Sequence, residues 1–462
     1  MTNQTLFMLM AATLAACGDA SPSNDAGADL GTSSVDLAAP SNDASSNDLT
    51  TAMLPDLLAS YPLTITITNL GTATGSVTAS PTGTSCGSGC LQFPAGTTVT
   101  LTQSASPGHF LRWGGDCSGS TACSVDMTSA RTVSATFAQT NIAFISSDTF
   151  YPTSGNPATS VDGHCQALAT TAGIAGTYVG WLGTDNATFG TRLGTANGWI
   201  RLDGKPFAKN KAALLASHTL YPNRITEQGI EVPAATAVLS DIMNSCAGFT
   251  KTTGSVAVGL AGGGWLGAAI YNGFGPLTCG TPLPIYCFGV DYTDQATYTP
   301  AVGRRAFATK SPVALGGGVA ALDAACNSKA SAASFTGTFA ALVPTTTATA
   351  ASRFSTTGSA WVRADGIPLV ANAADLFASP GPMLISTLEV AEDGSVNNYL
   401  VVGGASDLNS VGTAASTCSN YTDNTTATSQ VITGFATFPT PQLISGSTDP
   451  CTGSYALYCL EK

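Results

Sequence analysis

From about residue 63 to residue 137 apolar and polar positions alternate in short runs, LTITIT, TVTLT and TVSATF among them, separated by Gly, Pro and Ser. Alternation of period two between turn formers predicts half-buried strands, so 62–139 reads as a β-rich module. Beyond it the pattern changes. Strand-like runs, at Ala143-Phe144, in GTYVGWL from Gly176 and in WIRLDGKPF from Trp199, surround a stretch where Val161, Cys165 and Leu168 recur at helical spacing. The same order returns further on: Ala306-Phe307, then Leu322 and Cys326 at helical spacing, then GTFAALV from Gly337 and WVRADGIPL from Trp361. Each tryptophan run enters an Asp-Gly turn signal. The expected class is therefore α+β, with two small domains at 141–293 and 304–462 and a linker at 294–303.

The N-terminal pattern belongs to no folded element. LFMLMAATLAAC, from Leu6 to Cys17, is apolar and closes on small residues. It falls short of the roughly 20 residues that span a bilayer and reads as a signal-peptide core, giving a leader at 1–17. Its ending, Leu14-Ala15-Ala16-Cys17, resembles the bacterial lipoprotein box, although MTNQT before it has no Lys or Arg. The resemblance implies that Cys17 becomes the mature N-terminus, carries lipid and anchors the chain to a membrane. By the sorting rule that comes with it, Gly18 points to the outer membrane rather than to inner-membrane retention. Residues 18–61 are Ser, Asp, Ala and Asn with few large apolar side chains, too few to offset the entropy of ordering, and read as a disordered tether.

Charge narrows the partners. Only 10% of residues are charged, against roughly 25% in an ordinary soluble protein, and the formal net charge is -12. Sixteen Lys and Arg with no basic run argue against nucleic acid, whose phosphates need a basic face.

Thirteen cysteines become twelve once Cys17 is set aside. They fall into three groups: Cys86, Cys90, Cys117 and Cys123; Cys165, Cys246, Cys279 and Cys287; Cys326, Cys418, Cys451 and Cys459. Even groups in an exported chain read as disulfides. Zinc would call for tighter knuckles or nearby histidines, and His109, His164 and His218 are scattered. The gaps are 81, 33 and 8 in the second group and 92, 33 and 8 in the third, agreement that points to an internal duplication. Asp162 and Asp323 precede the first cysteine of each copy at equal distance, and Asn210 and Asn372 follow each Asp-Gly alike.

This set of landmarks resembles the C-type-lectin-like fold, and more closely a family of bacterial extracellular domains of unknown function distantly similar to the endostatin module. The resemblance implies bonds Cys165–Cys287, Cys246–Cys279, Cys326–Cys459 and Cys418–Cys451. Neither copy has the Glu-Pro-Asn, Gln-Pro-Asp or Trp-Asn-Asp motifs of calcium-dependent sugar binding. The β-rich module resembles the divergent internalin-type bacterial repeat through Cys86-x-x-x-Cys90, Gly96-Thr97, the Phe110 to Gly115 stretch, Cys117 to Cys123 and the Val133 to Phe137 strand. That likeness implies local bonds Cys86–Cys90 and Cys117–Cys123 and a spacer or adhesive stalk role.

Candidate chemistry is sparse. Gly262, Gly264 and Gly267 spell GxGxxG, but outside the strand-to-helix context a dinucleotide needs. No cofactor, no metal and no catalytic residue is expected. His164 reads as a partly exposed helix residue, and Glu389, Glu392 and Asp393 as a solvated turn rather than a calcium site. Trp181, Trp199 and Trp361 could line a recognition surface, with Trp199 and Trp361 expected in the core; Trp265, flanked by glycines, is the ligand-binding candidate. The expected function is recognition of a glycan, matrix polymer or partner protein at the cell surface. A structural spacer is the alternative, and an enzyme on a lectin-like fold the remaining one.

Overall fold

The computed structural model describes residues 59–151, 157–181, 186–239, 250–256, 258–263, 277–397, 399–439 and 441–462. The expected leader, Cys17, Cys246, Gly264, Trp265, Gly267 and nearly all of the expected tether lie outside these residues. The molecule is mixed α+β, built from small sheets with few helices.

The β-rich module holds β1 (Ser60–Leu70), β2 (Gly75–Ser80), β3 (Thr84–Gly87), β4 (Cys90–Pro94), β5 (Thr98–Ala105), β6 (His109–Gly115), β7 (Cys123–Asp126) and β8 (Arg131–Ala138). It begins two residues before the expected boundary at 62. One sheet runs β3-β4-β1-β8-β6 and the other β2-β5-β7. Alternation puts Leu63, Phe93, Val99, Leu101, Val133 and Phe137 in one core while their neighbours face outward. Cys86–Cys90 and Cys117–Cys123 close the local loops.

The first repeat follows without a break: β9 (Asn141–Ile145), α1 (Pro157–Thr171), β10 (Tyr178–Gly180), α2 (Asn186–Arg192), β11 (Trp199–Ile200), β12 (Pro206–Ala208) and α3 (Lys211–Leu215). Then come β13 (Ala237–Leu239), β14 (Ser255–Val256), β15 (Val258–Leu260), β16 (Leu277–Thr278) and β17 (Tyr286–Gly289). The second repeat has β18 (Arg304–Ala308), β19 (Val313–Ala314), α4 (Gly318–Ala332), β20 (Phe339–Ala341), β21 (Trp361–Arg363) and β22 (Leu400–Val402). It ends with α5 (Cys418–Tyr421), β23 (Gln430–Phe435), β24 (Ser447–Pro450), β25 (Ser454–Tyr455) and β26 (Tyr458–Glu461).

The main sheets share a four-strand order, β10-β17-β9-β11 in one repeat and β20-β26-β18-β21 in the other, with β12 added at the edge of the first. In each, the last strand runs antiparallel to the first, and the tryptophan strand runs parallel to the first on its other side. The helix is bonded to that last strand, Cys165–Cys287 and Cys326–Cys459, bridging 122 and 133 residues. Cys418–Cys451 staples the loop-rich part of the second repeat. Cys279 is disulfide-bonded as well.

Polar wiring repeats with the same fidelity. Asp162 Oδ1 accepts from Gly180 N at 2.8 Å, and Asp323 Oδ1 from Ala341 N at 2.9 Å. Arg192 pairs with Asp162, and Arg353 Nη2 with Asp323 Oδ2 at 2.6 Å. The indole N–H groups of Trp199 and Trp361 donate to Gly289 O and Glu461 O, both at 2.9 Å, from fully buried rings. Trp181 is buried too, 4.2 Å from the Phe189 ring. These three tryptophans are core, and Trp199 and Trp361 add to aromatic packing an indole N–H that finds a carbonyl.

The β-rich module and the first repeat share a core: Leu111 and Ala138 lie in one cluster with Phe144, Val161 and Cys165. His109 stacks on Tyr292 at 5.0 Å between ring centroids, and burial pushes its imidazole down to about 4. The expected linker is packed as well: Ala296 is buried and its N–H donates to Lys209 O at 2.9 Å.

Candidate functional site

In both repeats the tryptophan strand leads into an Arg-x-Asp-Gly turn. Arg201 Nε donates to Asp203 Oδ1 at 3.0 Å, and Arg363 Nε to Asp365 Oδ1 at 3.1 Å. The Nη1 atoms reach a carbonyl of the following loop, Pro222 O at 2.7 Å and Thr387 O at 3.4 Å. A planar guanidinium forked on a carboxylate two residues away locks the turn. The next residue then sits at positive φ, +81° at Gly204 and +84° at Gly366, where glycine is the unstrained choice. The Asp-Gly signal is plain in the sequence; the arginine two positions before each Asp also repeats there and is the sign of the fork.

The second turn is sealed. Arg363 is fully buried, and its Nη2 donates to Thr219 O of the first repeat at 2.9 Å. His218 Nε2 lies 3.5 Å from Asp365 Oδ2, and the Tyr298 hydroxyl donates to Asp365 O at 3.1 Å. A Cβ on Gly366 would come within 2.4 Å of the Pro300 Cβ. Burial pushes the Asp365 carboxyl up, but Arg363 and the bond from His218 outweigh it and hold it well below the usual carboxylate range.

Beneath this joint lies Glu389, and here the expected solvated acidic turn needs correction. Glu389 is fully buried, with Oε1 3.4 Å from the Thr219 hydroxyl. Burial raises its carboxyl to about 8, with Arg363 drawing it down and Asp365 pushing it up. The other two acids face elsewhere: Glu392 Oε2 accepts from Lys310 N at 2.8 Å, and exposed Asp393 pairs with Lys310 Nζ at 2.5 Å. With Glu389 buried against Thr219 and the other two acids both held by Lys310, the three carboxylates make no shared cation site. Among the described residues no group of three or more His, Cys, Asp or Glu is placed to hold a metal ion. Nor is any described helix long and apolar enough to cross a membrane.

The first turn is open. Between it and the β-rich module lies a cleft of about 480 Å³. Leu111 and Leu202 lie in its walls, both buried. One rim is the loop between β6 and β7, held by Cys117–Cys123, by Trp113 Nε1 donating to Thr121 O at 2.8 Å and by Trp113 N donating to Gly119 O at 2.7 Å. Ser120 Oγ ties that rim to the first repeat through Ala172 O at 2.8 Å. The opposite rim is Glu227, Gln228 and Gly229. Glu227 accepts from Ser147 N at 3.0 Å and from Ser147 Oγ at 2.5 Å, and Gln228 Nε2 donates to the same hydroxyl at 3.1 Å. Arg112, exposed on β6, has no ion-pair partner among the described residues.

Of the earlier candidates, His164 is half-buried on α1, with Nε2 2.9 Å from Asp148 Oδ1 and its ring against Phe150. The cleft residues come from four separate stretches of chain and carry no motif. Compared with known families and with curated proteins, the chain matches no family model and no curated sequence. The disulfides place the folded body in an oxidising compartment.

Proposed function

We propose that this is an exported recognition protein, lipid-anchored through Cys17 and held off the membrane by its tether, whose two repeats are C-type-lectin-like modules. Their first and last strands pair antiparallel beside each other and their helix is bonded to the last strand, as that fold requires. The function is binding of an extracellular glycan, matrix polymer or protein without catalysis.

The observation that carries the reading is the difference between the two Arg-x-Asp-Gly turns. The same four-strand frame supports both; one turn is sealed by the neighbouring repeat and the other opens on a cleft with a braced rim. A rigid frame presenting one open face suits recognition, since ordering costs are already met before the ligand arrives. The sealed joint favours a second reading, a stiff spacer, because it fixes one repeat on the other.

An array of glycans and polysaccharides, probed with the oxidised chain in calcium and in chelator, separates the two. Binding that survives chelation and is lost on disulfide reduction supports recognition by the folded modules. A chain that binds nothing on that array or on envelope protein extracts leaves the spacer reading. Lipid on Cys17 is tested by the mass of the mature N-terminal peptide, which a Cys17→Ala chain must lack.

A further inference from the structure

We infer that the cleft between the β-rich module and the first repeat is the binding site for an uncharged saccharide, held without calcium and at one site per chain. The inference rests on the recognition reading above and names its ligand class.

Both carboxylates there already have partners. Asp203 is forked by Arg201, with Lys205 Nζ 3.9 Å away, and Glu227 is bonded by the Ser147 N–H and hydroxyl. Asp203 Oδ1 also accepts from Lys205 N at 3.2 Å, but Asp203 Oδ2 and both Glu227 oxygens keep a second lone pair able to accept from a hydroxyl. Arg112 and the exposed Ser118 and Thr121 add donors on the facing rim. A polyanion would meet these carboxylates and a chain of net charge -12, and a cation would find Asp203 already paired with Arg201 and Arg112 on the facing rim. Vicinal hydroxyls, which donate and accept alike, match donors and acceptors of both signs set around apolar wall residues, Leu111 and Leu202, that suit the C–H face of a sugar ring. The volume, about 480 Å³, lies within the roughly 300–1,000 Å³ of small-molecule sites.

The rim is preorganised by a disulfide and two bonds from Trp113, so little ordering entropy opposes binding. The corresponding place in the second repeat is taken by His218, Thr219 and Pro300. Duplication of the frame therefore does not duplicate the site.

The test is calorimetric titration of the full oxidised chain, in chelator, with neutral gluco-, manno- and N-acetylglucosamine oligosaccharides, followed by Arg112→Ala, Gln228→Ala and the control Met383→Ala. Both rim residues are exposed, so thermal midpoints should stay at the wild-type value. The expected result is a stoichiometry near one, about tenfold weaker binding for each rim variant and no change for the control. Saccharide binding that both rim variants retain, or a stoichiometry of two, overturns this site while leaving recognition standing. Capture of a protein or charged polymer with no neutral saccharide bound overturns the ligand class alone. No binding to any of these removes the inference and the recognition reading together.

Discussion

Replacing Glu389 with Gln should stabilise the protein, and by an amount that grows with pH. The carboxyl is fully buried between Arg363, Asp365, Tyr458 and the Thr219 hydroxyl, and titrates at about 8 against an ordinary 4.5. Between those values the native state keeps a proton that the unfolded chain has lost. Stability therefore falls as pH rises through the window, by about 1.4 kcal/mol per unit, and levels off above it. Gln presents the same shape as the protonated acid and has no proton to lose. The gap between variant and wild type should be near zero at pH 4.5 and widen to about 5 kcal/mol by pH 8. Urea unfolding with disulfides intact, followed by tryptophan fluorescence at half-unit steps from pH 5 to 8.5, measures it. Taking the difference between the two proteins cancels other titrations, including that of His109, whose lowered imidazole gives stability above about 6.5 that is lost as pH falls towards 4. Parallel stability curves for the two proteins would refute the buried, proton-holding Glu389.

Three further outcomes follow from the frame. Trp199→Phe and Trp361→Phe each leave a strand carbonyl without its indole donor, at Gly289 and Glu461, and should cost about 1–3 kcal/mol apiece in urea unfolding, with equal losses expected because the geometries are equal. Removing Cys326–Cys459 as a Ser pair should cost about 5 kcal/mol and removing Cys86–Cys90 about 2, since closing 133 residues restricts the unfolded chain far more than closing 4; equal losses would contradict the loop-entropy account. Gly403→Ala should prevent the second repeat from folding, read as loss of its buried amide protection in hydrogen exchange, because a Cβ there would lie 1.7 Å from Ile444 O, a backbone atom with nowhere to go.

Legibility in the sequence followed the range of each interaction. The matched gaps of 33 and 8 residues and the two tryptophan runs announced a repeated unit, because covalent spacing and strand alternation are local signals. The Arg192–Asp162 and Arg353–Asp323 pairs were equally visible in principle, each separated by 30 residues, yet an arginine in a polar stretch looks like surface until its aspartate is placed. Glu389 misled for a different reason. The turn EVAEDGS has the composition of a solvated loop, and what buries its first acid is Thr219 from the other repeat and Arg363 from another strand. The cleft was illegible because two modules must meet to form it. Trp265, chosen for its glycine neighbours, lies outside the described residues, and the aromatic nearest the cleft, Trp113, braces its rim from within the core.

The position of the closing strand in each repeat sets the order in which the molecule can mature. β17 and β26 come last in their repeats yet lie inside the sheet, β17 between β10 and β9, β26 between β20 and β18. On the proposed export, N-terminus first, the first strand, the helix and the strand after it would arrive before the piece that joins them. Until that piece arrives Cys165 has no Cys287 and Cys326 has no Cys459, whereas Cys86–Cys90 and Cys117–Cys123 can close at once. On that reading each repeat cannot close its sheet or its long disulfide until its last strand is present. Closure of each repeat therefore rests on a contact between its two ends, with the oxidant needed only once both are in place.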